Sequence, residues 1–147
     1  MVLKAVLFDF NGVIIKDESI HRELIDELLL AENLPPQGKE FWQVSVGRSD
    51  RVCIKELLKL RGRFVTDEYL DKLIAKKAIA YQQRLAQVET IPLYPEVAQF
   101  IEQMYDRGYK LAVVTGAIRS EVELVLQQGE IARYFEAIVS GDEIAQS

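Results

Sequence analysis

Residues 7–15 read LFDFNGVII, an apolar run interrupted by a single carboxylate, Asp9, with Asn11 and Gly12 close behind it. A charge where a buried strand stops is costly unless something uses it. Asp9 is therefore a turn residue, a helix cap or a group that does chemistry. A second stretch, VVTGA at 113–117, puts the hydroxyl of Thr115 and the glycine Gly116 at the end of another apolar run. A helix is expected to begin just beyond, near Ile118, where unpaired backbone N–H groups favour an anion. A carboxylate nucleophile beside a hydroxyl and a helix start suits phosphoryl transfer. The plainer readings are a strand-end cap for Thr115 and a hairpin turn for Asn11-Gly12. The flanks of that turn do not alternate, and the pattern beyond Lys16 becomes helical, so the turn is expected to be local.

These residues need elements to hold them. Leu3 to Phe8 reads as a strand buried on both faces. From Asp17 the apolar residues fall at helical spacing, with Ile20, Leu24, Ile25, Leu28 and Leu29 on one stripe and Asp17 or Ser19 as cap. Leu34-Pro35-Pro36 ends that helix. Ser49 caps a helix carrying Val52, Ile54, Leu57 and Leu58 as far as Gly62, and Thr66 opens a long one with Leu70, Leu73, Ile74, Ala78, Tyr81 and Leu85 on one side. Residues 17–90 are thus expected to contain no strand. After Ile91-Pro92, Pro95 suits a first helical turn, and Val97, Phe100, Ile101 and Met104 lead to a stop at Gly108. Leu111–Val114 is a second buried strand, 118–128 a helix ended by Gly129, and Ala137–Val139 a third strand. This order describes a parallel α/β layout with a helical module inserted after the first strand. In such sheets ligands collect at the carboxyl ends of the strands, where Asp9 and Thr115 fall.

The totals exclude several classes. The 147 residues are 49% hydrophobic and 28% charged, a globular balance. Eighteen Lys and Arg against 23 acids give a formal net charge of −5 with no basic block, so nucleic acid is not an expected partner. Cys53 is the single cysteine, which rules out an intrachain disulfide and reads as packing. No apolar run reaches membrane-spanning length, and the expected setting is the cytoplasm.

LFDFNGVI resembles the first motif of the haloacid dehalogenase-like phosphohydrolases, and LAVVTGA the second. The likeness is strongest to the group that holds β-phosphoglucomutase and small-molecule phosphatases. It implies an α/β, Rossmann-like parallel core from residues 1–15 and 92–147, incomplete at three strands, with an α-helical cap at 16–91. YPEV at 94–97 resembles the return to the core. By the same resemblance Asp9 would attack phosphorus and become an aspartyl-phosphate. Thr115 would bind the phosphoryl group, with backbone N–H groups around Asn11, Gly12 and Gly116. Mg²⁺ would sit on the Asp9 carboxylate and the Asn11 carbonyl, an oxygen set that suits a hard cation. The implied function is Mg²⁺-dependent hydrolysis of a small phosphorylated metabolite, by a monomer or weak dimer. A phosphosugar mutase and a non-catalytic phosphate binder are the alternatives.

Two departures qualify the resemblance. Asn11 stands where these hydrolases carry a second Asp that exchanges a proton with the leaving oxygen; losing such a group typically costs about 10²–10⁴-fold in rate. The Asn-Gly pair also invites slow deamidation. The family further needs a Lys after strand three and an acidic pair after strand four. VSGDEIAQS resembles the stretch just before that Lys, so Asp142 and Glu143 are not assigned to metal, and the sequence is expected to be the front portion of a longer chain. In the cap, His21 follows Asp9 at the interval of a family histidine, and Lys77 aligns with a family lysine. Arg48 or Arg51, in a loop of substrate-facing type, would meet a second anion. Each has a plainer reading as a helical or solvated side chain. Phe41 and Trp42 are expected in the cap core.

Overall fold

The computed structural model describes residues 2–144. Residues 145–147, the last of the expected core stretch, lie outside the described residues. The chain divides into two compact units, one holding the stretch up to Glu18 and the stretch from Val88 onward, the other Ser19–Gln87.

The first unit contains a three-stranded parallel sheet in the order β1 (Ala5–Phe8), β2 (Lys110–Val114), β3 (Ala137–Val139). The register sets Phe8 beside Val113 and Val113 beside Ile138. Helix α5 (Pro95–Asp106) precedes β2 with Pro95 in its first turn, where the missing N–H has no intrahelical role. Helix α6 (Arg119–Gln128) joins β2 to β3. Phe8 packs edge-to-face against Phe100 of α5 and against Phe135, and Val113 is fully buried beside it.

The strands are covered on one face only. Leu7, Val114 and Val139 share the opposite face by alternation and are 68%, 42% and 40% exposed. Continuous apolar runs led us to expect burial on both faces; topology explains the difference. With strands added in one direction, right-handed crossovers send each connecting helix over the same face. Helix α6 ends at Gly129 as expected; Gly129 keeps an ordinary helical φ, and the left-handed residue is the next one, Glu130.

The second unit is all-helical, with α1 (Glu18–Ala31), α2 (Phe41–Val44), α3 (Asp50–Leu60) and α4 (Asp67–Ala86). Ser49 accepts from the Val52 amide and Thr66 from the Tyr69 amide, so both expected N-caps form. The expected stripes meet in one core of Ile25, Leu28, Leu29, Ile54, Leu57, Leu58, Leu70 and Leu73, joined by Cys53 and Val44. Burial pushes the Cys53 thiol pKa up, as fits a packing role. Phe41 is buried, but Trp42 is 72% exposed. A four-residue helix has room to turn one of two adjacent aromatics inward, and Trp42 stands edge-on to Phe41 instead. Arg61 fastens the irregular link from α1 to α2, donating to the carbonyls of Pro35 and Pro36 and to Glu40. No helix among the described residues is long and apolar enough to cross a membrane.

Candidate active site

Asp9 lies one residue past β1, and Thr115 one residue past β2, on adjacent strands paired through Phe8 and Val113. Strand spacing and rise put the two backbones about 6 Å apart. Asp9 is exposed, and its carboxylate accepts from the Phe10 amide at 2.7 Å. Thr115 is buried, its amide donating to Val139 and its Oγ1 accepting from the Ala117 amide at 3.1 Å. The hydroxyl thus shapes the loop between β2 and α6 while standing at the strand end.

The loop after β1 curls through Phe10, whose carbonyl accepts from the amides of Val13, Ile14 and Ile15. Gly12 has φ +74° and donates its N–H to the Ile15 carbonyl at 2.9 Å. A side chain here would meet only the movable end of Glu18, so it is the left-handed backbone that calls for glycine at position 12. The amide expected to help hold phosphate is thus already engaged. The same bond restrains the nitrogen that deamidation requires. Asn11 is held as well: its Nδ2 donates to Asp17 Oδ2 at 2.9 Å, and Asp17 is fully buried. Antiparallel contacts fasten this loop to the returning chain, with Lys16 donating to Pro92 and Tyr94 to Ile14.

The start of α6 is less open to an anion than its position suggested. The Arg119 amide donates to Asp142 Oδ1 at 2.9 Å, so a carboxylate already occupies the first orphan donor. The Arg119 side chain reaches Glu143 and the Ile138 carbonyl, closing the loops after β2 and β3 onto each other. Burial pushes the Asp142 carboxyl up, but the Ser140 hydroxyl and the Arg119 amide outweigh it and hold it below the ordinary range. The Ser140 amide and Arg119 hold Glu143 low as well. Both acids serve the loop. The Gly116 carbonyl lies against Gly141, where an added methyl would collide with it.

Within the helical unit, His21 and Lys77 come together. Lys77 Nζ is fully buried, 2.6 Å from Asp50 Oδ2 and 2.7 Å from His21 Nδ1, and His21 stacks on Tyr81 at 4.7 Å. Asp50, which the sequence reading passed over, is the residue that compensates the buried ammonium. Its only local signal was its place at the start of α3, where an acid is commonplace. Arg51 is paired with Asp71 and Asp67 at the start of α4, so its guanidinium serves a surface ion pair. Arg48 is exposed. Among the described residues no group of three or more His, Cys, Asp or Glu is arranged to hold a metal ion.

Ligands collect at the carboxyl ends of the strands in parallel α/β sheets, and the exposed Asp9 carboxylate and the buried Thr115 hydroxyl stand at neighbouring strand ends of this kind. A family model for haloacid dehalogenase-like hydrolases matches residues 3–147, and the chain belongs to that family. It is 30% identical over 156 residues to the protein CbbY of Rhodobacter capsulatus, covering 99% of this chain and 66% of the relative. It is 24% identical over 145 residues to phosphoglycolate phosphatase 1 of Pseudomonas aeruginosa, covering 97% and 52%. The chain therefore spans about half to two thirds of the length of these curated relatives. In fold it matches a crystal structure of a CbbY variant from Rhodobacter sphaeroides in complex with xylulose-1,5-bisphosphate, with a TM-score of 0.85 and 22% identity, covering 99% of this chain and 67% of that one.

Proposed function

We propose that this chain carries the nucleophile of a phosphatase acting on a small phosphorylated metabolite. The supporting observation is the exposed Asp9 carboxylate one residue past β1, beside the Thr115 hydroxyl one residue past β2. Phosphoglycolate phosphatase and CbbY among the relatives favour a small anionic substrate. In the first half-reaction an Asp9 oxygen bonds to phosphorus as the ester oxygen leaves with the bonding pair and takes a proton from water. In the second, water bonds to phosphorus and the Asp9 carboxylate leaves; one water proton stays on the released phosphate and the other neutralises the hydroxide left by the first step. Thr115 would donate its hydroxyl hydrogen to a phosphoryl oxygen, since its lone pairs serve the Ala117 amide.

Mg²⁺ fits the donor chemistry, because the Asp9 carboxylate and the Asn11 carbonyl are hard oxygens and Mg²⁺ keeps several waters. When bound it would neutralise phosphate charge and let a carboxylate approach an anion. In this reading the helical unit is the cap that chooses the substrate, with residues 16–91 as its extent.

The test is phosphate release from a panel of small phosphomonoesters by the protein and its Asp9→Asn variant. Release that vanishes in the variant is expected; equal release from both proteins ends the reading. Tight phosphate binding without release would favour the binder that Asn11 suggests.

A further inference from the structure

The Asn11–Asp17 contact bears on what the site can use as a substrate. Both residues lie in the first unit, at either end of the loop that leaves β1. The amide turns Nδ2 toward Asp17 and donates to its Oδ2 at 2.9 Å. The partner is fully buried, where a hydrogen bond is electrostatically stronger than at the surface. The N–H that faces Asp17 is therefore committed, and an amide has no proton to transfer at any pH at which the protein is folded. Two residues from the nucleophile, the chain holds a hydrogen-bonded pair whose carboxylate is on the buried member.

We propose that Asp17 is a positioning residue that locks Asn11 as a fixed amide, and that the site consequently uses phosphoryl donors whose leaving oxygen is a weak base: acyl phosphates and aryl phosphates rather than alkyl esters. The inference rests on the aspartyl-phosphate reading above and narrows its substrate class. Attack by Asp9 breaks the bond from phosphorus to the leaving oxygen, and that oxygen departs with the electron pair. A carboxylate or phenolate leaves without a proton; an alkoxide does not. A general acid at position 11 would remove this distinction and is typically worth about 10²–10⁴-fold, so the amide there should appear as selectivity of that order against alkyl phosphates. The pair also restricts which acids the site tolerates. Asn11→Asp alone would set two carboxyl groups at hydrogen-bond distance with the donor removed, whereas Asn11→Asp with Asp17→Asn restores a donor and exchanges the roles.

The experiment measures kcat/KM for acetyl phosphate, substituted phenyl phosphates of graded leaving-group basicity and one alkyl phosphate. It uses the wild type, N11D, D17N and the double variant N11D/D17N. Expected are a steep fall with leaving-group basicity in the wild type and a flatter one in the double variant. The double variant should gain about 10²-fold on the alkyl phosphate, well beyond N11D alone. A wild type that hydrolyses alkyl and aryl phosphates equally well overturns the selectivity. Equal gains in N11D and the double variant overturn the role of Asp17. Absence of turnover with every donor, acetyl phosphate included, overturns the aspartyl-phosphate reading itself, a result distinct from flat selectivity. A second readout is independent of turnover: the Asn11 side-chain amide signals in NMR should shift and lose exchange protection in Asp17→Ala, and unchanged signals refute the contact.

Discussion

Replacing Asp50 by Ala should be among the most damaging single changes in the helical unit. The Lys77 ammonium is fully buried and the Asp50 carboxylate 22% exposed, at 2.6 Å. Removing one partner of a buried pair usually costs about 3–5 kcal/mol, because it leaves a charge without compensation. The partial exposure of Asp50 places the expected loss near the lower end, about 3 kcal/mol. His21 Nδ1 remains beside Lys77 as an acceptor but supplies no negative charge. Lys77→Met removes the charge and keeps the volume, so it should be within about 1 kcal/mol of wild type or more stable. The double variant D50A/K77M should then recover most of what D50A loses. Urea unfolding followed by far-UV circular dichroism gives all four free energies and the coupling between the sites. If K77M costs more than D50A, or if the two losses simply add, the buried-pair argument is wrong.

Arg61→Met should cost about 1–2 kcal/mol by removing charge-assisted hydrogen bonds to the carbonyls of Pro35 and Pro36, and Arg61→Lys should recover little because an ammonium cannot reproduce the fork. The Arg61 bond holds the Glu40 carboxyl below its usual 4.5, so this pair adds stability above pH 4.5 that is lost as pH falls through the lowered value; R61M should lose that segment of the acid-unfolding profile. Gly141→Ala should destabilise the sheet unit by about 1–3 kcal/mol, seen as a lower urea midpoint, because the methyl meets the rigid Gly116 backbone. Peptide mapping of aged protein should find Asn11 intact, since its Nδ2 and the Gly12 amide are both bonded; iso-aspartate at position 11 would show that the loop opens readily.

Periodicity made most of the fold legible before any coordinates. The helix stripes at Leu24–Leu29, Ile54–Leu58 and Leu70–Leu85 are local patterns; Ile25, Leu28, Leu29, Ile54, Leu57, Leu58, Leu70 and Leu73 meet in one core, and Leu24, Tyr81 and Leu85 are buried as well. Ser49 and Thr66 announced their helices because capping acts over three residues. What the sequence did not disclose depends on partners distant along the chain. Asp50 meets Lys77 across 27 positions and Asp142 reaches the Arg119 amide across 23. No local pattern distinguishes those acids from ordinary solvated ones. The bare sheet face was hidden for a related reason: Leu7 and Val114 have the composition of buried strand residues, and only strand order decides which face the helices cover. At the candidate site, Asp9, Asn11 and Thr115 were visible from type and spacing, while the engagement of Gly12 and the Asp17 contact required the turn itself.

The central claim is that the Asp9 carboxylate takes up a phosphoryl group. Incubation with acetyl phosphate and Mg²⁺, rapid acid quench and mass spectrometry of the peptides test it directly. We expect a hydroxylamine-labile phosphoryl adduct on Asp9 that is absent from Asp9→Asn. An adduct on another residue, or none from a folded protein that binds phosphate, would contradict it.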